Sequence, residues 1–172
     1  MRKPKIKFNQ IKPNSNAAKV LVSIGRFGDT SRVYSKNKKS ISTNISRLVE
    51  REFITIQKDD PRPFVLTKGG LIEFLKLELV QTDLLPKGKE CMVVFDIQEK
   101  KRDLRDVLTI FLEESCFIRL QKSVWISPFD AAEKLAEIFK LLEIEKMVKV
   151  YTVEEAIPHN NVDPRYHEEI SF

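Results

Sequence analysis

Hydrophobic periodicity predicts an α+β chain with two small units, an N-terminal winged helix-turn-helix and a C-terminal ferredoxin-like βαββαβ domain. The first half shows helical stripes followed by a short alternating hairpin, and the second half alternates apolar strands with two amphipathic helices. A length of 172 residues suits two such domains. The predicted segments are a basic flexible arm (1–13), the winged helix-turn-helix (14–80), a linker (81–89), the ferredoxin-like domain (90–157) and a polar tail (158–172).

Charge is divided unequally between the two halves of the chain. Residues 1–86 contain 17 Lys and Arg against 8 Asp and Glu, whereas residues 87–172 contain 13 against 17. The basic half favours a polyanionic partner, of which nucleic acid is the commonest. No apolar run is long enough to cross a bilayer and no secretory signal is recognisable. We therefore expect a cytoplasmic protein without a membrane partner, in which Cys91 and Cys116 are buried and reduced.

The first element of the basic half is a helix that begins at Asn16. Its apolar residues recur every three or four positions, which builds one inward stripe: Ala17, Val20, Leu21, Ile24 and Phe27. Asp29 or Thr30 then provides an N-cap for a short second helix through Val33 and Tyr34.

The third predicted helix spans residues 40–53 with Ser40 as its N-cap. Its inward side is apolar: Ile41, Ile45, Leu48 and Val49. The opposite side is polar: Ser42, Thr43, Asn44, Ser46, Arg47 and Arg51. Short donors and acceptors can approach base edges in the major groove, and arginines can reach phosphate or guanine. The preceding lysines would lie near the DNA backbone: Lys36, Lys38 and Lys39.

A β-hairpin follows this helix. The segments ITIQK and FVLT alternate in hydrophobicity, with Ile54 and Ile56 inward, and DDPRP between them supplies the turn with Arg62 near its tip. Thr67 then caps a last helix that runs toward Leu79. Three helices and a hairpin in this order predict a winged helix that binds double-stranded DNA. The alternative is a winged helix that contacts other proteins and whose polar third-helix face is solvated.

The second half predicts a ferredoxin-like unit. The run CMVVFDI (91–97) is apolar at nearly every position, which indicates a strand buried on both faces. Helices over 101–114 and 130–143, with the strands CFIRLQ, SVWIS and MVKVYTV, complete the order βαββαβ. Two helices cover only one sheet face, yet apolar residues such as Met92 and Val94 occupy the other. Self-association is the simplest cover, so we expect a homodimer through this domain.

Two motifs in this half resemble known families. VVFDIQEKKRDLRDVL followed by FIRLQKSVWISPFD is similar to the central domain of PaaX-type transcriptional repressors and to the small CRISPR-associated endonucleases that partner the adaptation integrase. The shared elements are Phe95-Asp96-Ile97 at a strand end and the Gln121–Trp125 segment. The N-terminal winged helix favours the repressor family, because the stand-alone nucleases lack it. The resemblance therefore implies a dimeric DNA-binding transcriptional regulator that acts as a repressor.

Asp96 is the one residue for which the resemblance implies chemistry. In the nucleases, the matching aspartate binds a divalent metal together with its copy across the dimer axis, so a nuclease would use Asp96 as a catalytic Mg²⁺ ligand. The alternative is structural: Asp96 ends a strand and bonds backbone amides, Arg102 or Arg105. No other catalytic residue is predicted, and no cofactor is expected apart from the Mg²⁺ of the nuclease alternative. A metal-dependent nuclease with a fused DNA-binding domain is the alternative function, and a protein-binding adaptor is the third.

Overall fold

The computed structural model of the chain describes residues 11–33, 38–57, 63–79 and 81–154, which form six strands and five α-helices within those ranges. In chain order these are α1 (Asn16–Phe27), α2 (Lys38–Glu50), β1 (Ile54–Ile56), β2 (Phe64–Leu66), α3 (Lys68–Leu79), β3 (Lys89–Phe95), α4 (Arg102–Glu114), β4 (Ile118–Gln121), β5 (Val124–Ser127), α5 (Ala132–Leu141) and β6 (Val148–Glu154). The mixture of helix and antiparallel sheet confirms the predicted α+β class. No described helix is long and apolar enough to span a membrane.

Helix α1 has an N-cap at Ser15 and ends at Gly28, and its predicted apolar stripe is buried except at Phe27. The Ser15 hydroxyl accepts a hydrogen bond from the Ala18 amide at 3.2 Å, and Gly28 closes the helix at a positive φ of 78°. The predicted stripe is buried along most of its length. Phe27, at its end, is 41% exposed, so its inward placement is wrong. The Phe27 ring lies beyond the core, and the Arg32 guanidinium stacks over it at 4.2 Å from the ring centroid.

The short helix predicted after α1 is wrong in the part of it that the structure describes. Residues 28–33 form turns and bends, and Tyr34 lies outside the described residues. Asp29 caps a turn instead of a helix, because its carboxylate accepts hydrogen bonds from the Ser31 amide at 2.9 Å and the Ser31 hydroxyl at 2.8 Å. These bonds lower the pKa of Asp29. Polar side chains that bond the local backbone stabilise turns in competition with a helix.

Helix α2 starts at Lys38, two residues before the predicted start, so Ser40 lies inside the helix and is not its N-cap. Leu48 is buried, and Ile41 and Ile45 are half-buried against α1 and the hairpin core. Val49 is 37% exposed, which corrects its predicted inward position. Successive helical residues are rotated by about 100°, so Val49 turns away from the side that Leu48 buries.

Strands β1 and β2 form the predicted hairpin, with Ile54 opposite Leu66 and Ile56 opposite Phe64. The Gln57 amide donates to the Pro63 carbonyl at 2.9 Å, which extends the pairing toward the turn. Ile54 is buried, but Ile56 is 54% exposed and its predicted inward position is wrong. The outer end of the hairpin therefore reaches past the core that covers Ile54.

The second half has the predicted strand and helix order, βαββαβ. Its four strands are all antiparallel in the spatial order β4-β5-β3-β6. One sheet face, which includes Val93 and Trp125, packs against α4 and α5, where the Phe111 and Phe139 rings meet edge to face at 6.5 Å. Trp125 lies in this core and is 1% exposed.

Helix α3 connects the two halves. The Thr67 hydroxyl accepts from the Gly70 amide at 3.0 Å, which confirms the predicted N-cap. Leu77 belongs to the core of the first half, whereas Leu75 and Leu79 belong to the core of the second. Apolar residues lie on several sides of α3 between Leu71 and Leu79, so the helix packs against both cores, whereas its first residues, Lys68 and Gly69, are exposed.

Candidate nucleic-acid interface

The exposed side of α2 carries two rows of polar residues, each row joining positions one helical turn apart. Ser42 and Ser46 form one row, and Thr43 and Arg47 form the other; all four are exposed. They are four of the six residues predicted for this side of the helix. The surface they form is called the α2 polar face below.

Hydrogen bonds within α2 determine what this face can offer a ligand. The Thr43 hydroxyl donates to the Lys39 carbonyl at 2.9 Å, and the Ser46 hydroxyl donates to the Ser42 carbonyl at 3.2 Å. With their protons committed to the backbone, both hydroxyl oxygens present lone pairs outward and act as acceptors. The Arg47 guanidinium is a donor only. The face can therefore accept from the exocyclic amino groups of adenine or cytosine and donate to guanine or phosphate.

Asn44 does not belong to this face, and its predicted exposed position is wrong. It is 8% exposed, and its amide nitrogen donates to the Ser40 carbonyl at 2.7 Å. The reason is helical geometry: Asn44, Ile45 and Leu48 follow Ile41 by three, four and seven residues, so all four share the inward side. Asn44 therefore packs on the inward side of α2 and is not available to a base.

The start of α2 is strongly basic. Lys38 and Lys39 are its first two residues, and its first turn has no acidic side chain. Positive side chains near the N-terminus of a helix are electrostatically unfavourable, because that end of the helix dipole is also positive. An anion bound there offsets this repulsion. Lys39 is exposed. Lys36, the remaining predicted lysine, lies outside the described residues.

The predicted arginines after α2 fall in two different situations. Arg51 is exposed in the turn between α2 and β1, and its amide continues the helical hydrogen bonding to the Arg47 carbonyl at 3.0 Å. Arg51 is therefore one turn beyond Arg47 on the same side, at the spacing i, i+4. Arg62, expected at the hairpin tip, lies outside the described residues.

The helix-free face of the second sheet is apolar over its first three strands, and its edge on β6 includes Lys149. The strand registers place Ile118, Ile126, Met92 and Tyr151 in one row from β4 to β6. Val124 and Val94 continue in the next row, with Lys149 at its end. Ile126 is 3% exposed, Met92 and Val94 are half-buried, and Tyr151 is 48% exposed; none of the residues in these rows belongs to either buried core cluster. This surface is called the apolar sheet face below. Residues on it alternate with Val93 and Trp125, which point to the helices.

Asp96 directly follows β3 and is exposed, with its amide donating to the Met147 carbonyl at 2.9 Å. The arginines proposed as its partners pair elsewhere: Arg105 lies 2.6 Å from Glu99, and Arg102 lies 3.8 Å from Asp106. The Arg105 hydrogen bond lowers the pKa of Glu99.

The part of the chain that the structure describes contains no group of three His, Cys, Asp or Glu residues that could hold a metal ion. Because Mg²⁺ takes one or two carboxylates with water and phosphate oxygens, Asp96 in a single chain supplies one such ligand.

The ionisable pair at the centre of α3 was not predicted from the sequence. The Lys76 ammonium lies 2.6 Å from the Glu73 carboxylate, and each side chain is 4% exposed. The Ile11 amide also donates to Glu73 at 3.0 Å, and burial lowers the pKa of Lys76. The signal was present in the sequence: six apolar residues between 71 and 79 surround the helix, so charges among them must be buried and paired.

Residues 86–164 match the family model described as the PaaX protein central Cas2-like domain. The matched span contains the whole four-stranded sheet and both of its helices. No curated protein and no solved structure gives a significant match to the chain.

Proposed function

We propose that this chain, whose residues 86–164 belong to the PaaX central Cas2-like domain family, is a dimeric DNA-binding transcriptional repressor of PaaX-like type that acts in the cytoplasm. The observation that carries the proposal is the α2 polar face, with its outward acceptors and Arg47. In this proposal α1, α2, the hairpin and α3 act as a winged helix-turn-helix in which α2 enters the major groove.

The basic start of α2 supports this assignment. Phosphate contacts from the lysines at this end of the helix, Lys38 and Lys39, would add affinity without reading sequence. Arg47 and Arg51, one turn apart, would extend the contact along the helix. The hairpin follows at once, so its outer end would lie beside the backbone or minor groove. These contacts combine a cationic, salt-sensitive component with a smaller set of base contacts.

The apolar sheet face supports a homodimer. Ile118, Ile126 and Met92 form a continuous apolar strip, and burial of apolar surface contributes about 25 cal/mol per Å². A second copy provides a surface of the same shape, because a two-fold interface joins identical patches. The dimer would present two α2 helices to a two-fold symmetric operator with half-sites one or more helical turns apart.

The test of this function is selection from genomic DNA. The purified full chain is mixed with sheared DNA from its own organism, and the bound fragments are recovered and sequenced. We expect a small set of fragments that share a two-fold symmetric sequence near promoters. Equal recovery of all fragments would indicate nonspecific DNA binding. Recovery of no fragment, even at low salt, would contradict DNA binding altogether.

A metal-dependent nuclease is the second candidate, and one observation favours it: Asp96 is an exposed carboxylate at the end of β3, a central strand of the sheet. Two copies of Asp96 across a dimer axis could share one Mg²⁺. We expect no cleavage of DNA or RNA that depends on this residue. Cleavage with Mg²⁺ or Mn²⁺ that Asp96→Asn abolishes, without loss of folding, would assign the chain to the nuclease class.

A further inference from the structure

We propose that α3 fixes the DNA-reading unit rigidly to the dimerising sheet, so that the protein selects operators by the spacing of their half-sites as well as by their sequence. This inference rests on the proposed function. It concerns the joint between the two halves, which consists of α3 and of residues 81–89, the segment that the sequence predicts as a linker.

The first step is the packing of α3 against α1. The two helices approach so closely at Gly25 that a Cβ atom there would lie 2.4 Å from the Phe74 ring. At the exposed end of the same contact, the Arg26 guanidinium lies 2.7 Å from the Glu78 carboxylate. The close approach of the Phe74 ring to the α1 backbone at Gly25 and the ion pair between Arg26 and Glu78 hold α3 against α1, which packs against α2.

The second step is the packing of α3 on the other side. Leu75 and Leu79 are buried in the core of the second half, and Leu71 and Ile72 pack against that core. Helix α5 is the neighbour of α3 there, and Lys68 reaches Glu143, just past the end of α5, at 2.9 Å. The helix therefore belongs to both cores, and the two halves cannot separate without exposing its leucines.

The third step concerns the chain after α3, residues 81–89. The Asp130 amide donates to the Asp83 carbonyl at 2.9 Å, and the Leu85 amide donates to the Pro128 carbonyl at 2.7 Å. Between these bonds, Leu84 and Phe129 form an antiparallel bridge. Backbone bonded in this way is held against the end of β5. The segment thus follows the second half as part of it and does not act as a free spacer.

The consequence for DNA reading follows from duplex geometry. Each added base pair moves a half-site by about 3.4 Å and rotates it by about 34°. A flexible joint could follow such changes, as flexible linkers span a range of distances. A joint made by one helix shared between two cores cannot follow them, so the two α2 helices would match one spacing.

The experiment uses the full chain and the operator recovered by genomic selection. A series of duplexes keeps both half-sites and changes the spacer by −2, −1, +1, +2, +5 and +10 base pairs. Affinity is measured by fluorescence anisotropy, with a duplex carrying one half-site as the reference. We expect the affinity to fall by about tenfold or more when the spacer changes by ±2 base pairs, toward the affinity of the single half-site. We expect no recovery of affinity at +10 base pairs.

A matched pair of variants connects the effect to α3. Leu71→Ser weakens the packing of α3 on the second half, and Ile110→Ser changes an exposed apolar residue on α4. We expect Leu71→Ser to flatten the spacing profile while sedimentation shows an unchanged dimer, and Ile110→Ser to leave the profile as in the parent.

Equal affinity across spacings with the parent protein would overturn the rigid joint while leaving the proposed function intact. Residual dipolar couplings of the free protein provide an independent reading. We expect one alignment tensor for both halves, and two independent tensors would contradict the proposal. Failure to bind any duplex would count against the proposed function and not against the joint.

Discussion

Two adjacent glycines at the start of α3 show how one methyl group can have opposite effects. A Cβ atom on Gly70 would lie 1.8 Å from the Phe53 carbonyl oxygen, whereas a Cβ atom on Gly69 would meet nothing closer than the Thr67 hydroxyl at 3.7 Å. Alanine is favoured over glycine in a helix by about 1 kcal/mol. The close contact at Gly70 reverses that preference, because backbone atoms must move to admit the methyl group.

We therefore expect Gly70→Ala to lower the free energy of unfolding by about 1–3 kcal/mol, the range of overpacked sites. Gly69→Ala is the matched control and should raise it by up to about 1 kcal/mol. Urea unfolding followed by circular dichroism measures both. Equal effects of the two substitutions would contradict the described contact between α3 and Phe53.

The two cysteines differ in exposure, and this corrects the expectation that both are buried. Cys91 is buried on the helix-covered sheet face, and burial raises the pKa of its thiol to about 12. Cys116 is exposed in the turn after α4, where it adopts a φ of 59°. The apolar run CFIRLQ suggested a strand from its first residue, but the strand begins at Ile118.

Thiol labelling follows from this difference. Because the thiolate is the reactive form, we expect a thiol-specific reagent at pH 8 to modify Cys116 rapidly and Cys91 only after denaturation. Mass spectrometry of the digested protein assigns the site. Rapid labelling of Cys91 in the folded protein would contradict its burial, and Cys116→Ser should remove the fast phase.

At the scale of elements, the regular patterns were predictable and their ends were not. The hairpin, the Thr67 cap and the βαββαβ order follow from period-2 and period-3.6 patterns, and the structure confirms them. The helix predicted through Val33 failed because the Asp29 carboxylate bonds Ser31, a local alternative that periodicity does not detect. Asn44 was misplaced because its polarity suggested solvent, whereas its spacing from Ile41 and Leu48 indicated the inward side.

Helix α3 yields the prediction at this scale, through its buried ion pair. Lys76→Met removes the ammonium and leaves the Glu73 carboxylate buried beside the Ile11 amide. Removing one partner of a buried ion pair lowers the free energy of unfolding by about 3–5 kcal/mol. We expect that loss in the free energy of unfolding. The double variant Glu73→Gln, Lys76→Met should recover much of it, because no charge remains buried. A double variant as unstable as Lys76→Met would contradict an account based on the loss of the Lys76 ammonium beside a buried carboxylate.

At the scale of the whole molecule, the sequence predicted the division of charge and the excess of apolar sheet surface. It did not indicate that α3 joins the two cores, because a linker assignment from Pro and Gly in residues 81–89 says nothing about where that backbone bonds. The apolar sheet face, by contrast, was visible in the alternation of Met92 and Val94 with Val93. A four-stranded sheet with two helices has one uncovered face whatever its details.

The dimer can be tested on the full chain by sedimentation. We expect twice the 20.0 kDa mass of one chain at tens of micromolar. Met92→Asp introduces a charge in the centre of the apolar sheet face and should yield monomer, since burying an unpaired charge is strongly unfavourable. Ile110→Asp makes the same type of change at a 51% exposed position on α4 and should remain dimeric. A parent protein that sediments as a monomer would contradict the homodimer.

The most direct test of the central claim compares Arg47→Ala with Lys140→Ala, two exposed positive residues on α2 and α5. Fluorescence anisotropy measures the Kd of each variant and the parent for the selected operator and for a scrambled duplex at several salt concentrations. If α2 reads DNA, Arg47→Ala weakens operator binding by about 5- to 150-fold, the equivalent of about 1–3 kcal/mol, and reduces discrimination against the scrambled duplex. Lys140→Ala leaves both affinities unchanged. Unchanged operator affinity and discrimination in Arg47→Ala would contradict the assignment of α2 as the DNA-reading helix.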